Sequence, residues 1–487
     1  MKKQTYINLS IAIIVIVALI RLIFAITHTV SGDACLHLSA AHFIANENKL
    51  PLFEGLGRLQ PFWAPPLFHI ITAFFYKIAA FISKDLAIII SKLISPLFGT
   101  LTVILLYLIS RKFYNEKITL YSMIFINFIP VFLDYSIFSY VDITMAFFSV
   151  LAVYLMINNR FFLSSASLGL AILSKYNAVF MYPILIYLAY KLSKKYLYRN
   201  LAMVTILPLT ISSVWFIRNF ILLGNPVWPF LNGIFNGVNI GTSFNTINIG
   251  SIFSFAPYLK SYLELFGVPN GAIELISFLD IPFIGILLAM WFIGTLIFIF
   301  PFIVGLFQKK NYFIKAIYIL FASYLFMLFV YLTNTNWFSP RLLLPVLPFM
   351  AIIWAKGLNR IKFNSIYLVI VLLISTGFVA AETIKLQTAT KEWNIYNQDF
   401  EWATSNSNSK DIFYGNGQCL SYNLNRQVIS NQAPLDTNKI DYVFINNKWR
   451  VDNKINQDSL NKIESSSKLT EIYSNKDTGT VIYKVTP

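Results

Sequence analysis

Apolar residues run along this chain in blocks rather than in the short alternations of a soluble core. Ile11–Ile20, Leu86–Leu108 and Ile281–Phe307 approach or exceed the ~20 residues that cross a bilayer. Read as spans, the runs fall near residues 7–27, 86–110, 117–133, 143–158, 162–174, 177–192, 200–218, 281–307, 312–332, 341–356 and 364–383. Two intervening segments are too long for simple connections, residues 28–85 and 219–280. The first contains Phe68–Ile82, an apolar stretch short for a span, which reads as a helix at the membrane surface. The second is rich in Asn, Gly and Ser, with apolar patches such as Ile252–Phe266. After about residue 384 the pattern changes. Short β-prone runs appear at Ile412–Tyr414, Val428–Ile429, Tyr442–Ile445, Leu469–Tyr473 and Thr480–Val485, several separated by polar stretches. The expected architecture is an all-α polytopic membrane bundle of about eleven transmembrane helices over residues 1–383, followed by a small α/β domain over 384–487.

Composition agrees. Of 487 residues, 57% are hydrophobic and only 12% charged, about half the charge of a soluble domain. The net charge of +16 does not indicate nucleic acid, because it is confined to one set of short loops. That set holds Lys2, Lys3, Arg111, Lys112, Lys117, Arg160, Lys191, Lys194, Lys195, Arg199, Lys309, Lys310, Lys315, Lys356, Arg360 and Lys362, opposed only by Glu116. The tail from Ala381 is neutral. This is the positive-inside pattern. It puts the N-terminus in the cytoplasm and, with an odd number of spans, the C-terminal domain outside the cell membrane. The first span lacks a clear small-residue cleavage site and reads as a retained helix. Cys35 and Cys419 both fall on the outer side, in a compartment that permits a disulfide, and neither lies in a metal-binding spacing.

Charges near membrane level are costly and mark function by default. Most of them here collect at the outer ends of spans. Asp33 follows the first span and suits a general base or a helix N-cap. His37 shares its helical face. His37, His42 and His69 with Asp33 or Glu54 leave a divalent-metal site open, although the spacing matches no metal signature. Asp134 reads as a loop residue, and Asp142 opens the fourth span, where it favours the helix N-terminus. Lys175, Arg218 and Arg341 stand at the tops of helices. Each suits a snorkelling anchor; together they suit an anionic head group, since arginine grips phosphate bidentately and lysine adds a point charge. Arg21 is a weaker member of the set. No Walker loop, GxGxxG turn or GxSxG elbow is present.

Several ordered motifs resemble one family. They are Asp33 after the first span, then Trp63-Ala64-Pro65-Pro66-Leu67-Phe68-His69, then the segment Pro130 to Asp142. Next come Gly169-Leu170-Ala171-Ile172-Leu173-Ser174-Lys175 with Tyr176, and Arg218-Asn219 with Gly224-Asn225-Pro226-Val227-Trp228-Pro229-Phe230. The last is Arg341-Leu342-Leu343-Leu344-Pro345-Val346-Leu347-Pro348. Over residues 1–380 the chain resembles the GT-C superfamily of polytopic glycosyltransferases, in particular the protein O-mannosyltransferase and aminoarabinose-transferase-like group. It departs from many relatives where Ala34, rather than glutamate, follows Asp33.

The resemblance implies an inverting glycosyltransferase, hexosyl or pentosyl, using a polyprenyl-phosphate-linked sugar at the outer face and no cofactor. In that reading Asp33 takes the acceptor proton and Asp142 orients or assists. Lys175, Arg218 and Arg341 hold phosphate, with His37, Pro66, Tyr176 and Asn219 lining the substrate. The acceptor is left open among protein, lipid and polysaccharide. Two other functions share these features: a transporter or flippase of an anionic lipid-linked sugar, and an inactive scaffold relative. A carrier would place its charges near the midplane and show paired, broken helices; neither pattern is present here.

Overall fold

A computed structural model describes residues 3–52, 61–193, 195–238, 298–308, 311–335, 339–415, 417–430, 435–447 and 457–486. Glu54, most of the loop 219–280 and the first part of the expected span 281–307 lie outside the described residues. The chain divides into two compact units. One comprises Met1–Ala25, Ala64–Leu67 and Ser95–Thr383; the other comprises Ile26–Trp63, Phe68–Ile94 and Ile384–Pro487.

The first unit is a helical bundle. Its helices are α1 (Lys3–Thr27), α5 (Ile94–Phe113), α6 (Glu116–Phe128), α7 (Pro130–Tyr135), α8 (Val141–Ile157), α9 (Phe161–Ser174), α10 (Tyr182–Leu192) and α11 (Leu197–Leu223), followed by the helices Tyr312–Thr335, Leu347–Leu358 and Asn364–Asn394. The faces of these helices turned away from the core are apolar: Val15, Ile16, Leu19 and Ile23 on α1, and Val214, Ile217 and Ile221 on α11, are all exposed. Large apolar side chains on an outer surface need lipid rather than water as solvent. This is a multi-pass membrane protein.

Among the described residues, four helices are long and apolar enough to cross a membrane by length and composition: Lys3–Thr27, the run Lys84–Phe113, Leu197–Leu223 and Tyr312–Tyr331. Five more apolar helices are shorter: Leu67–Ala80, Val141–Ile157, Phe161–Ser174, Leu347–Leu358 and Asn364–Leu373. Among the described residues the expected spans, about eleven and several of them short, thus appear as a mixture of full-length and short helices.

Proline chemistry explains three of the differences. The expected span 117–133 breaks at Ile129, which is extended (φ −74°, ψ 121°) because Pro130 follows it. Asp134, read as a loop residue, consequently sits in the short helix α7. The span 177–192 begins as a 3-10 turn, Tyr176–Met181, before α10, which carries Pro183 in its first turn. The span 341–356 likewise starts as a 3-10 turn, Pro340–Leu343, and becomes α-helical only at Leu347, with Pro348 at its start. Close helix contact inside the bundle uses glycine. A Cβ on Gly357 would strike the carbonyl of Pro301, and one on Gly305 that of Ile353.

The second unit holds α2 (Asp33–Glu47), most of α3 (Leu67–Ala80), α4 (Lys84–Lys92) and the C-terminal sheet. The helix predicted over 68–82 is α3. Five strands, β1 (Ile412–Gly415), β2 (Gln427–Ser430), β3 (Tyr442–Ile445), β4 (Leu469–Asn475) and β5 (Thr480–Val485), pair in the order β2-β1-β3-β5-β4. They fall on the predicted β-prone runs. The β2-β1-β3 part is parallel and β3-β5-β4 antiparallel. Strand β3 is buried at every position and the sheet core gathers Phe400, Phe413, Leu420, Val443, Phe444 and Ile482, as expected for a central strand.

Cys35 on α2 is joined to Cys419 by a disulfide (S–S 2.09 Å, Cα–Cα 5.0 Å). Lys92 donates to the carbonyls of Ile26 and His28 at 2.9 and 2.7 Å, closing the last turn of α1.

His42 on α2 is buried against Tyr76 (4.2 Å between centroids) and Tyr422 (5.6 Å), with Nε2 3.3 Å from Ser91 Oγ. Burial, with Lys84 nearby, pushes its imidazole down to about 3 from 6.5. A depressed histidine stabilises the fold while neutral. That contribution is complete above pH 6.5 and is lost as pH falls toward 3. The thermal midpoint of the second unit, measured with the disulfide intact, should therefore drop below pH 6.5. His42→Gln should flatten that dependence; an unchanged acid slope would refute the assignment.

Candidate functional site

The first unit holds six of the expected site residues in linked polar contacts: Asp142, Lys175, Tyr176, Arg218, Asn219 and Arg341. Asp142 lies inside the first turn of α8, not at its cap, which is Tyr140. It is 1% exposed. Its Oδ1 accepts a hydrogen bond from Lys175 Nζ at 2.6 Å. Its buried Oδ2 has no hydrogen-bond partner among the described residues. Lys175 follows α9 in extended conformation (φ −161°, ψ 138°), which directs the chain into the 3-10 turn beginning at Tyr176. Two residues 33 apart in sequence thus form an ion pair at adjoining helix ends.

Arg341, in the turn Pro340–Leu343, has its guanidinium 5.7 Å from the ring centroid of Tyr140. Arg341 and Asp142 both act electrostatically on Tyr135 and on Tyr331. Both tyrosines are thus within electrostatic range of Asp142 and of Arg341.

Arg218 stacks over Trp215, 4.6 Å from the ring centroid, and donates through Nη1 to Asn219 Oδ1 at 3.0 Å. Trp215 and Arg218 are three apart on α11 and share a face. Trp215 Nε1 and Asn219 Nδ2 both donate to the Tyr176 hydroxyl, at 2.7 and 3.0 Å. That hydroxyl donates in turn to the carbonyl of Trp228 (3.4 Å). The 225–230 segment is folded by Asn225, whose Oδ1 accepts from Val227 N (2.9 Å) and whose Nδ2 donates to the Phe230 carbonyl (2.9 Å).

An apolar cavity of about 290 Å³ lies directly against this cluster. Ile172, Phe216, Val227, Phe230 and Met327 supply hydrocarbon walls, and Tyr176 and Tyr331 bring their rings to it. Pro66 is buried at the start of α3, where two consecutive prolines fix the chain's entry into that helix.

The second unit carries the remaining candidates. Asp33 is the first residue of α2, capped by Gly32 (φ 58°) without a side-chain bond. The capping role is thus taken by Gly32, and the Asp33 carboxylate lies in the first turn, where the helix dipole favours it. His37 Nδ1 lies 3.0 Å from His69 Nε2, both rings buried and edged by Phe68. Among the described residues no group of three or more His, Cys, Asp or Glu is placed to hold a metal ion.

Sequence reasoning missed Trp215, Tyr135, Tyr140 and Tyr331. Trp215 was detectable from its spacing to Arg218. The three tyrosines belong to different elements, and only the tertiary fold assembles them.

Residues 64–217 match the family model described as dolichyl-phosphate-mannose-protein mannosyltransferase. No curated protein matches the chain in sequence. The fold resembles that of ArnT from Cupriavidus metallidurans, solved bound to undecaprenyl phosphate, with TM-score 0.65 and 14% identity over 98% of both chains. It also resembles the oligosaccharyltransferase AglB from Archaeoglobus fulgidus. One structure, in complex with an inhibitory peptide and a dolichol-phosphate, gives TM-score 0.54 and 13% identity over 91% of this chain and 70% of that one. Another, in complex with Zn and sulfate, gives 0.55 and 14% over 97% and 73%.

Proposed function

We propose that this multi-pass membrane protein, whose fold is that of the GT-C superfamily of glycosyltransferases, transfers a sugar from a polyprenyl-phosphate-linked donor to an acceptor at the outer membrane face, with inversion. The observation that carries the reading is Asp142: buried, tethered to Lys175 through one oxygen, its other oxygen without a hydrogen-bond partner among the described residues. A buried carboxylate is costly unless it is paired or used. The solved relative that holds undecaprenyl phosphate adds support for a lipid-linked donor.

In this reading the lipid tail lies against the apolar cavity and its phosphate meets Arg218, Arg341 and Lys175, with Tyr176, Asn219 and Pro66 shaping the site. The acceptor hydroxyl or amine attacks the anomeric carbon from the face opposite the phosphate. The anomeric C–O bond breaks with its electron pair going to the phosphate oxygen. Asp33 takes the acceptor proton, and Asp142 Oδ2 orients a hydroxyl of the reacting groups. Cations fixed in advance stabilise the charge growing on the leaving phosphate. The stacking of Arg218 on Trp215 limits the freedom its fork must lose on binding.

The outward sidedness rests on the basic loops and on the Cys35–Cys419 disulfide, a bond of oxidising compartments. The acceptor and the sugar enter the proposal only as classes. Mass spectrometry of surface glycoconjugates with and without the protein would identify both from the lost mass.

The phosphate assignment is tested with purified protein and a polyprenyl-phosphate sugar. Arg341→Ala should raise the donor KM about 10–100-fold, the loss of one charge-assisted contact. Unchanged donor dependence in that variant would remove Arg341 from the phosphate site.

A further inference from the structure

Arg21 is fully buried in α1, six residues before its end. Its Nε donates to Ser136 Oγ at 2.8 Å and its Nη2 to Asn127 Oδ1 at 2.9 Å. The guanidinium lies 5.5 Å from the ring centroid of Phe132. Nη1 has no partner among the described residues, and no carboxylate among them pairs with Arg21. A guanidinium in this position is expensive and needs a reason. It is not a snorkelling anchor, since such a head group reaches water.

All three partners stand on one short segment. Asn127 is in the last turn of α6, Phe132 is in α7 and Ser136 directly follows α7. The segment is a break in the bundle, forced by Pro130, and its geometry is not fixed by a continuous helix ladder. It leads directly to Asp142, and Tyr135 next to Ser136 feels both Asp142 and Arg341. Ser136 is braced from behind: its hydroxyl donates to the Leu133 carbonyl at 2.8 Å, and a Cβ on Gly99 would lie 2.5 Å from its own Cβ. Two bonds from one planar fork hold Asn127 and Ser136 at a set separation across the break.

We propose that Arg21 is a positioning residue: through Asn127, Phe132 and Ser136 it sets the placement of the segment that presents Asp142 and Tyr135 to substrate. The inference rests on the transfer reaction proposed above. Lysine keeps the charge but cannot span both acceptors. Arg21→Lys should therefore lower kcat by about 10²-fold, the usual cost of a displacement near 1 Å at a reacting group, with donor KM within about threefold. The double variant Arg21→Lys/Asp142→Asn should be no slower than Asp142→Asn alone, since residues acting through one another are not additive.

Hydrogen–deuterium exchange supplies a readout independent of activity. Amides of residues 129–141 should exchange faster in Arg21→Lys, with the rest of the protein unchanged. Multiplicative losses in the double variant, a loss confined to donor KM, or unchanged exchange over 129–141 would each overturn the proposal. If the wild-type protein transfers no lipid-linked sugar, the functional reading fails while the exchange result still decides the positioning role.

Discussion

Under the proposed mechanism Asp33→Asn is expected to lower turnover about 10²–10⁴-fold, the range for loss of a positioned general base, while binding of the lipid-linked donor persists. Asparagine keeps the size and hydrogen-bonding shape of the side chain but cannot take a proton. Gly32, not Asp33, caps α2, so the substitution removes no cap.

Asp142→Asn should also lose turnover, by a different route. It leaves Lys175 facing a neutral amide at 12% side-chain exposure, and breaking one side of a buried pair typically costs 3–5 kcal/mol. Its effect should thus include a lowered melting temperature, partly restored by a second change, Lys175→Met. Asp33→Asn should show no such thermal loss. Full transfer activity in Asp33→Asn would eliminate Asp33 as the base. An Asp142→Asn protein as stable as wild type would show that the ion pair contributes nothing net.

A stability effect of similar size is expected in the C-terminal sheet. Asp399, in the helix Asn397–Ser405, is completely buried. Its Oδ1 accepts from Tyr473 Oη (2.6 Å) and Asn475 Nδ2 (2.7 Å), and its Oδ2 from Thr478 Oγ1 (2.7 Å) and Thr480 Oγ1 (2.6 Å). One carboxylate therefore ties a helix to β4, β5 and the turn between them. Asp399→Ala strands four donors at once, two of them, on Thr478 and Thr480, buried. Each charge-assisted bond contributes about 1.5–3 kcal/mol and each stranded donor costs a similar amount. Partial relaxation brings the expected loss to about 3–5 kcal/mol. In the intact protein this should appear as rapid hydrogen exchange and protease cleavage across 399–486. A loss below about 0.5 kcal/mol would mean that water replaces the carboxylate.

The sequence made the membrane class and the strand positions legible because both depend on local patterns. Long apolar runs have few alternative solutions, and β3 is apolar at all four of its positions. Helix breaks were less legible. Pro130, Pro183, Pro345 and Pro348 were visible, but hydropathy averages over them and merged α6 with α7. The site was only half legible. Asp142, Lys175, Arg218 and Arg341 stand out because charge is rare in a bundle. Their pairing does not, because it depends on how α8 and α9 pack. The Cys35–Cys419 bond shows the same limit: the compartment permitted it, but only the packing of α2 on Gly417–Leu424 brings the two sulfurs together.

The shortness of α8 and α9 bears on the depth of the proposed site. Their 17 and 14 residues rise about 26 and 21 Å, less than the ~30 Å of a bilayer's hydrocarbon layer. At one end they are joined through Asn158–Arg160, where Lys112 Nζ binds the Ile157 carbonyl and Asn158 Oδ1, and the positive-inside rule assigns this basic end to the cytoplasmic side in the proposed topology. In that topology their opposite ends, bearing Asp142 and Lys175, would stop several ångströms beneath the far head-group plane. If the proposed donor binds there, its phosphate would shed hydration water and enter a region where counter-ions from solution are scarce. The bundle's own arginines and lysine would then be its principal neutralising charges.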